Sequence, residues 1–78
     1  MPDLNPLFHA ELAAAVASDD CLARLTVVCA LTGLRTSHIK SMVKRGAFPR
    51  SIKLAPKVVR WRAGDVKRWL AEQVAAAA

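Results

Sequence analysis

Residues 24–49, RLTVVCALTGLRTSHIKSMVKRGAFP, constrain the fold more tightly than any other part of the chain. They read as two short helices joined by a glycine turn. Thr26 is placed to cap the first helix, and Leu25, Val28 and Cys29 give it an i, i+3, i+4 inner stripe. Thr32, Gly33 and Leu34 end it: glycine accepts the positive φ of a helix exit, and Leu34 tucks under the corner. The second helix is expected from about Thr36 to Arg45, with Gly46 as its terminator. Ile39, Met42 and Val43 fall on one side at 3.6-residue spacing, which makes that side core. At 100° per residue the opposite side carries Ser37, Ser41 and Lys44, flanked by Lys40, Arg45 and His38, with Thr36 at the start. Short polar side chains backed by cations suit close approach to a phosphate-lined groove. The pattern is that of a helix-turn-helix; an ordinary helical hairpin is the plainer alternative.

Before this unit, Asn5 and Pro6 open a first helix that runs to about Ala17, since asparagine caps and proline suits the first helical position. Leu7, Phe8, Leu12, Ala15 and Val16 form its apolar stripe. That stripe must be covered, either by its own domain or by a second copy or another protein. Ser18, Asp19 and Asp20 break the periodicity and form a linker, so residues 1–21 are a helical arm and residues 22–78 the domain proper. Residues 22–25 are a short extended lead-in.

After the second helix, Gly46 to Pro49 turn the chain and Phe48 plugs the core. Ile52 and Leu54 then alternate with Lys53, and Val59 and Trp61 with Arg60, around a turn at Ala55, Pro56 and Lys57. This predicts a β-hairpin with one buried and one basic face, from which Lys53, Lys57 and Arg60 project together, with Arg50 and Arg62 nearby. Arg62, Ala63 and Gly64 lead into a last helix. Asp65 in its first turn complements the helix dipole, and Val66, Trp69 and Leu70 make its inner stripe. The alanines at 75–78 extend that helix or fray. Both tryptophans sit on inward positions and read as core. The whole is mainly α with a small β-hairpin, in the order of a winged helix-turn-helix.

The charge is segregated. Residues 1–23 hold four acids and no Lys or Arg, whereas the rest carries all twelve cations against Asp65 and Glu72, a formal +10. Solubility alone does not explain that asymmetry; it implies a polyanion partner for the body and a different task for the arm. Cys21 and Cys29 make no CxxC pair, and His9 and His38 have no ligand spacing to them, so neither metal nor cofactor is expected. No paired carboxylates, Cys–His set or phosphate loop suggests an enzyme. Free thiols, no basic n-region and no apolar run near the ~20 residues of a membrane span predict a cytoplasmic, nucleoid-associated protein without membrane contact.

The run from Arg24 and Leu25 through Val28, Thr32-Gly33-Leu34, Ile39, Gly46, Phe48-Pro49, Ile52-Lys53-Leu54, Trp61, Asp65-Val66 and Trp69-Leu70 resembles the AlpA family of small phage and mobile-element regulators. These are relatives of the excisionases with a winged helix of the MerR kind. The resemblance covers about residues 22–72 and leaves the arm outside. In the second helix Arg35 stands where the family commonly has a capping serine, and Lys40 and Ser41 where it often has tyrosine and arginine. The resemblance implies that the second helix enters the major groove of double-stranded DNA, with Thr36, Ser37, His38, Lys40, Ser41, Lys44 and Arg45 at the duplex. It also implies that Arg50, Lys53, Lys57 and Arg60 follow the backbone or the minor groove.

Two roles fit that resemblance: an excisionase, or recombination directionality factor, working with a site-specific integrase, and a transcriptional activator or repressor of the element's genes. The first implies cooperative self-association on tandem DNA sites, with Leu7, Phe8, Leu12 and Val16 as the contact between copies. A protein-binding antiactivator that uses the Phe8 helix is the alternative from another class.

Overall fold

The computed structural model describes residues 6–77. In order these form α1 (Pro6–Ala17), β1 (Leu22–Ala23), α2 (Leu25–Thr32), α3 (Thr36–Lys44), β2 (Ile52–Ala55), β3 (Val58–Arg62) and α4 (Ala63–Ala77). The fold is the expected one, mainly helical with a small antiparallel sheet in winged helix-turn-helix order. The sheet has three strands rather than two, ordered β1–β3–β2, because the lead-in pairs Leu22 with Arg62 and Ala23 with Trp61. The cap expected at Asn5 lies outside the described residues.

Phe8, Ala15, Ala23, Val27, Val28, Ile39, Met42, Phe48, Trp61, Ala63 and Val66 make one buried cluster. It draws on every element but β2. On α1, Phe8, Leu12 and Ala15 share an i, i+4, i+7 stripe that faces α2 and β1. Leu7 and Val16 lie at the two flanks of that stripe and stay more than 60% exposed. The arm therefore folds back on its own domain. Phe8 and Leu12, expected at a contact between copies, are instead used inside the fold.

Ion pairs on the same side reinforce the docking. Glu11 Oε2 accepts from Arg24 Nε at 2.7 Å, Lys67 reaches Asp19 at 2.7 Å and the Val16 carbonyl at 3.2 Å, and Arg62 bridges Asp20 and Asp65. The Lys67 ammonium holds the Asp19 carboxyl below its ordinary range, and Asp20 pushes the Arg62 guanidinium up. The backbone of the linker docks as well, through Ala63 N–H to the Cys21 carbonyl at 2.8 Å and Gly64 N–H to the Asp19 carbonyl at 2.9 Å.

α2 starts one residue before the expected cap. Arg24 is its N-cap, with its side chain turned to Glu11 rather than to the helix amides, so Thr26 is an exposed residue inside the first turn. Val27, as well as Val28, is fully buried. Gly33 leaves the helix at φ 74°, and the Thr32 hydroxyl bonds the Val28 carbonyl at 2.9 Å. The exit from α3 is a Schellman motif: Gly46 at φ 72° donates to Val43 and Ala47 donates to Met42.

The loop that follows is clipped from both sides. Trp61 Nε1 donates to the Pro49 carbonyl at 3.2 Å and Trp69 Nε1 to the Ala47 carbonyl at 3.1 Å. Phe48 stands edge-on to Trp69 at 4.8 Å. Both indole N–H groups are thus bonded within the fold and tie the loop to β3 and α4.

Candidate nucleic-acid interface

α3 packs on α2 through a narrow seam, Ile39 and Met42, both buried. Val43, expected in the core, is 37% exposed, because it sits 100° past Met42 and beyond the edge of that seam. Opposite the seam, Ser37, Lys40, Ser41 and Lys44 form the outward face, with His38 and Arg45 exposed at its margins. Thr36 is exposed too, but its hydroxyl lies 3.6 Å from Cys29 Sγ and faces back toward α2. The N-cap Arg35 makes no side-chain capping bond, so the first-turn amides of α3 have no side-chain cap. Such amides complement an anion.

The hairpin departs from its expected geometry. Ile52 is paired with Arg60, Lys53 with Val59, and Ala55 with Val58, so one residue of β2, Leu54, has no counterpart on β3. Directly opposed residues share a face of the ribbon. Lys53 therefore lies on the Val59 side and Arg60 on the Ile52 side, and the two do not project together. All of β2 is exposed, Ile52 and Leu54 included, where a buried apolar face was expected.

Proline explains the shift. No residue of the turn has positive φ, since Gly33 and Gly46 alone do among the described residues. Pro56 fixes φ near −65°, which rules out the primed two-residue turns that match strand twist. The extra residue in β2 takes up the mismatch as a bulge.

A cleft of about 420 Å³ opens between the start of α2, the side of α3 and the hairpin. Lys40, Lys57 and Arg60 line it together with Arg24, over a floor of Leu25, Val59 and Trp61. Arg50 belongs to neighbouring grooves around Phe48 and Pro49. Arg24 and Arg35 were not singled out as site residues from the sequence. The signal available for both is that no acid occurs between Asp20 and Asp65.

Ion pairing sorts the twelve cations sharply. Arg24, Arg62, Lys67 and Arg68 each lie within 4 Å of a carboxylate. Arg35, Lys40, Lys44, Arg45, Arg50, Lys53, Lys57 and Arg60 pair with no acid among the described residues, and all eight belong to the segment from the start of α3 to the hairpin. The acids of α1, the linker and α4 neutralise Arg24 at the cleft and Arg62, Lys67 and Arg68 beyond it, and leave the uncompensated charge on the segment from Arg35 to Arg60. No group of three His, Cys, Asp or Glu that could hold a metal occurs among the described residues, and no described helix is long and apolar enough to cross a membrane.

A family model described as Prophage CP4-57 regulatory protein (AlpA) matches residues 22–74, from β1 into the fourth turn of α4. α1 lies before the matched span. No curated protein and no solved structure matches the chain.

Proposed function

The chain belongs to the AlpA family of prophage regulatory proteins, and we propose that it binds double-stranded DNA with α3 in the major groove and the wing on the neighbouring backbone and minor groove. The observation that carries this is the confinement of all eight acid-free cations to the segment that runs from the N-cap of α3, through the loop after it, to the hairpin. Ser37, Lys40, Ser41 and Lys44 face outward at a spacing that reaches base edges and flanking phosphates. Lys57 and Arg60, across the cleft from Lys40, meet the phosphates that border the two grooves. Lys53 serves from the other face of the ribbon, and Arg50 from the loop before it. The chemistry needed is positioning and charge, with no bond made or broken.

Within that reading the chain acts as a recombination directionality factor at an attachment site of a mobile element, beside a site-specific integrase. Copies would sit side by side on tandem sites. Of the four α1 residues first considered for their contact, Leu7 and Val16 are the exposed ones.

Footprinting of the full chain across the element's attachment site and promoters tests both levels. Protection in repeated blocks at the attachment site supports the directionality role. Protection at a promoter alone makes the chain a transcriptional regulator, and no protection on any duplex removes the DNA reading.

A further inference from the structure

The tip of the wing carries an unexplained apolar group. Leu54 is 55% exposed and Ile52 39%. Ala55 and Pro56 beside them are also exposed. A leucine without a partner in a solvated hairpin gains nothing for the fold. Here it is also the bulge residue, the one position of β2 without a counterpart on β3. Bulges re-aim side chains and often sit at functional sites. Proline at the turn stiffens this arrangement, so the leucine is presented on a rigid tip rather than a floppy loop.

Its surroundings identify the partner. Lys53 and Lys57 flank Leu54 in sequence, Arg50 and Arg60 lie close behind, and no acid occurs anywhere between Asp20 and Asp65. An apolar tip ringed by cations complements a partner with a strongly anionic surface and an apolar interior. Duplex DNA has that character: phosphates line the groove edges, and the faces of the stacked bases lie beneath. Lys57 and Lys40 share one cleft, so the wing tip is on the same side as the reading helix. With α3 in a major groove, the adjacent minor groove is what the wing meets.

We propose that Leu54 is a wedge that enters the minor groove, parts one base step and kinks the duplex, with Lys53 and Lys57 holding the phosphates on either side. The proposal rests on the DNA-binding reading above and adds a task to the wing that charge alone does not supply. Apolar wedges of this kind unstack a step and bend DNA by about 20–90° toward the major groove. The kink is easiest at a pyrimidine–purine step.

The test uses the full chain and 25-bp duplexes labelled with a donor and an acceptor at their ends, with a TA step or an A-tract at the centre. A straight duplex of this length spans roughly 85 Å at 3.4 Å per base pair, and a 60° kink shortens it by about 10 Å. At saturating protein, energy transfer is expected to rise on the TA duplex and less on the A-tract. Leu54→Ala should lose at least half of that rise while its salt dependence of binding stays unchanged, and Leu54→Phe should restore it. Lys57→Ala should do the opposite, weakening binding but bending normally once bound. 2-Aminopurine placed at the central step should brighten with the wild type and not with Leu54→Ala.

Because Leu54 is exposed, the alanine variant should melt with the wild type, so a lost bend is not a lost fold. If the wild type binds without bending, or Leu54→Ala bends DNA as fully as the wild type, the wedge is refuted and the DNA reading stands. Unchanged bending together with lost binding to a protein partner would assign Leu54 to that partner and also refute the wedge. If the wild type binds no duplex, both readings fall.

Discussion

Truncating Phe8 to alanine tests whether α1 is part of the domain or an appendage to it. Phe8 is only 9% exposed and belongs to the buried cluster with Ala15, Ala23, Val27 and Val28. Phe→Ala in a core costs about 3–5 kcal/mol; at the rim of this cluster the lower figure, about 3 kcal/mol, is appropriate. A domain of this size has a total stability of about 4–12 kcal/mol, so the loss is a large share of it. At about 4–8 °C per kcal/mol, the midpoint of thermal unfolding should fall by about 12–24 °C. Circular dichroism at 222 nm on the full chain measures it directly. Leu7→Ala is the control, since that side chain is 62% exposed and its truncation should shift the midpoint by much less. A shift under about 4 °C for Phe8→Ala, or equal shifts for the two variants, would show that α1 does not pack as described. The docking matters because the matched family region starts at residue 22, after α1.

Three further outcomes follow from the same geometry. A Cβ on Gly64 would stand 2.8 Å from Asp19 Cβ and 3.1 Å from its carbonyl oxygen. Gly64→Ala should therefore push the linker off the start of α4 and cost about 1–3 kcal/mol; an unchanged melting point would contradict it. Lys40→Ala should narrow the difference between a specific and a scrambled duplex in anisotropy titrations. Lys57→Ala should weaken both alike and lower the salt slope by about one. Identical behaviour of the two variants would deny α3 its reading role. Asp19, held below its ordinary value of 3.8 by Lys67, stabilises the fold above that pH, and the contribution is lost as pH falls through the lower folded-state value. Melting curves of wild type and Asp19→Asn should differ at pH 6 and converge toward pH 2, whereas a constant gap would show that Asp19 acts other than through its charge.

The helices were legible in the sequence because their signals are local. Gly33 and Gly46 sit where left-handed exits are required, and the 3.6-residue spacing of Ile39 and Met42 gave α3 its inner edge. What the sequence did not reveal depends on partners distant in the chain. Val43 reads as core until the narrowness of the α2–α3 seam is known. Arg24 replaces Thr26 as the cap because β1 pairs with β3 and fixes where α2 begins. The faces of the hairpin were misjudged for a physical reason, since strict alternation assumes an unbroken register and Pro56 forces a bulge. That single extra residue separates Lys53 from Arg60 and turns Leu54 outward. The candidate interface was legible as composition, a basic segment without acids. That it is bounded by ion pairs to α1, the linker and α4 emerged only from the fold.

The central claim is that α3 and the wing present an uncompensated positive surface to DNA phosphates. The most direct test is the affinity of the full chain for a 25-bp duplex measured at salt concentrations from 50 to 200 mM. If about five of the eight acid-free cations meet phosphates, the log–log slope is about −4.5, and affinity falls by about 500-fold across that range. A slope near zero, or affinity for the duplex that does not respond to salt, would contradict the claim.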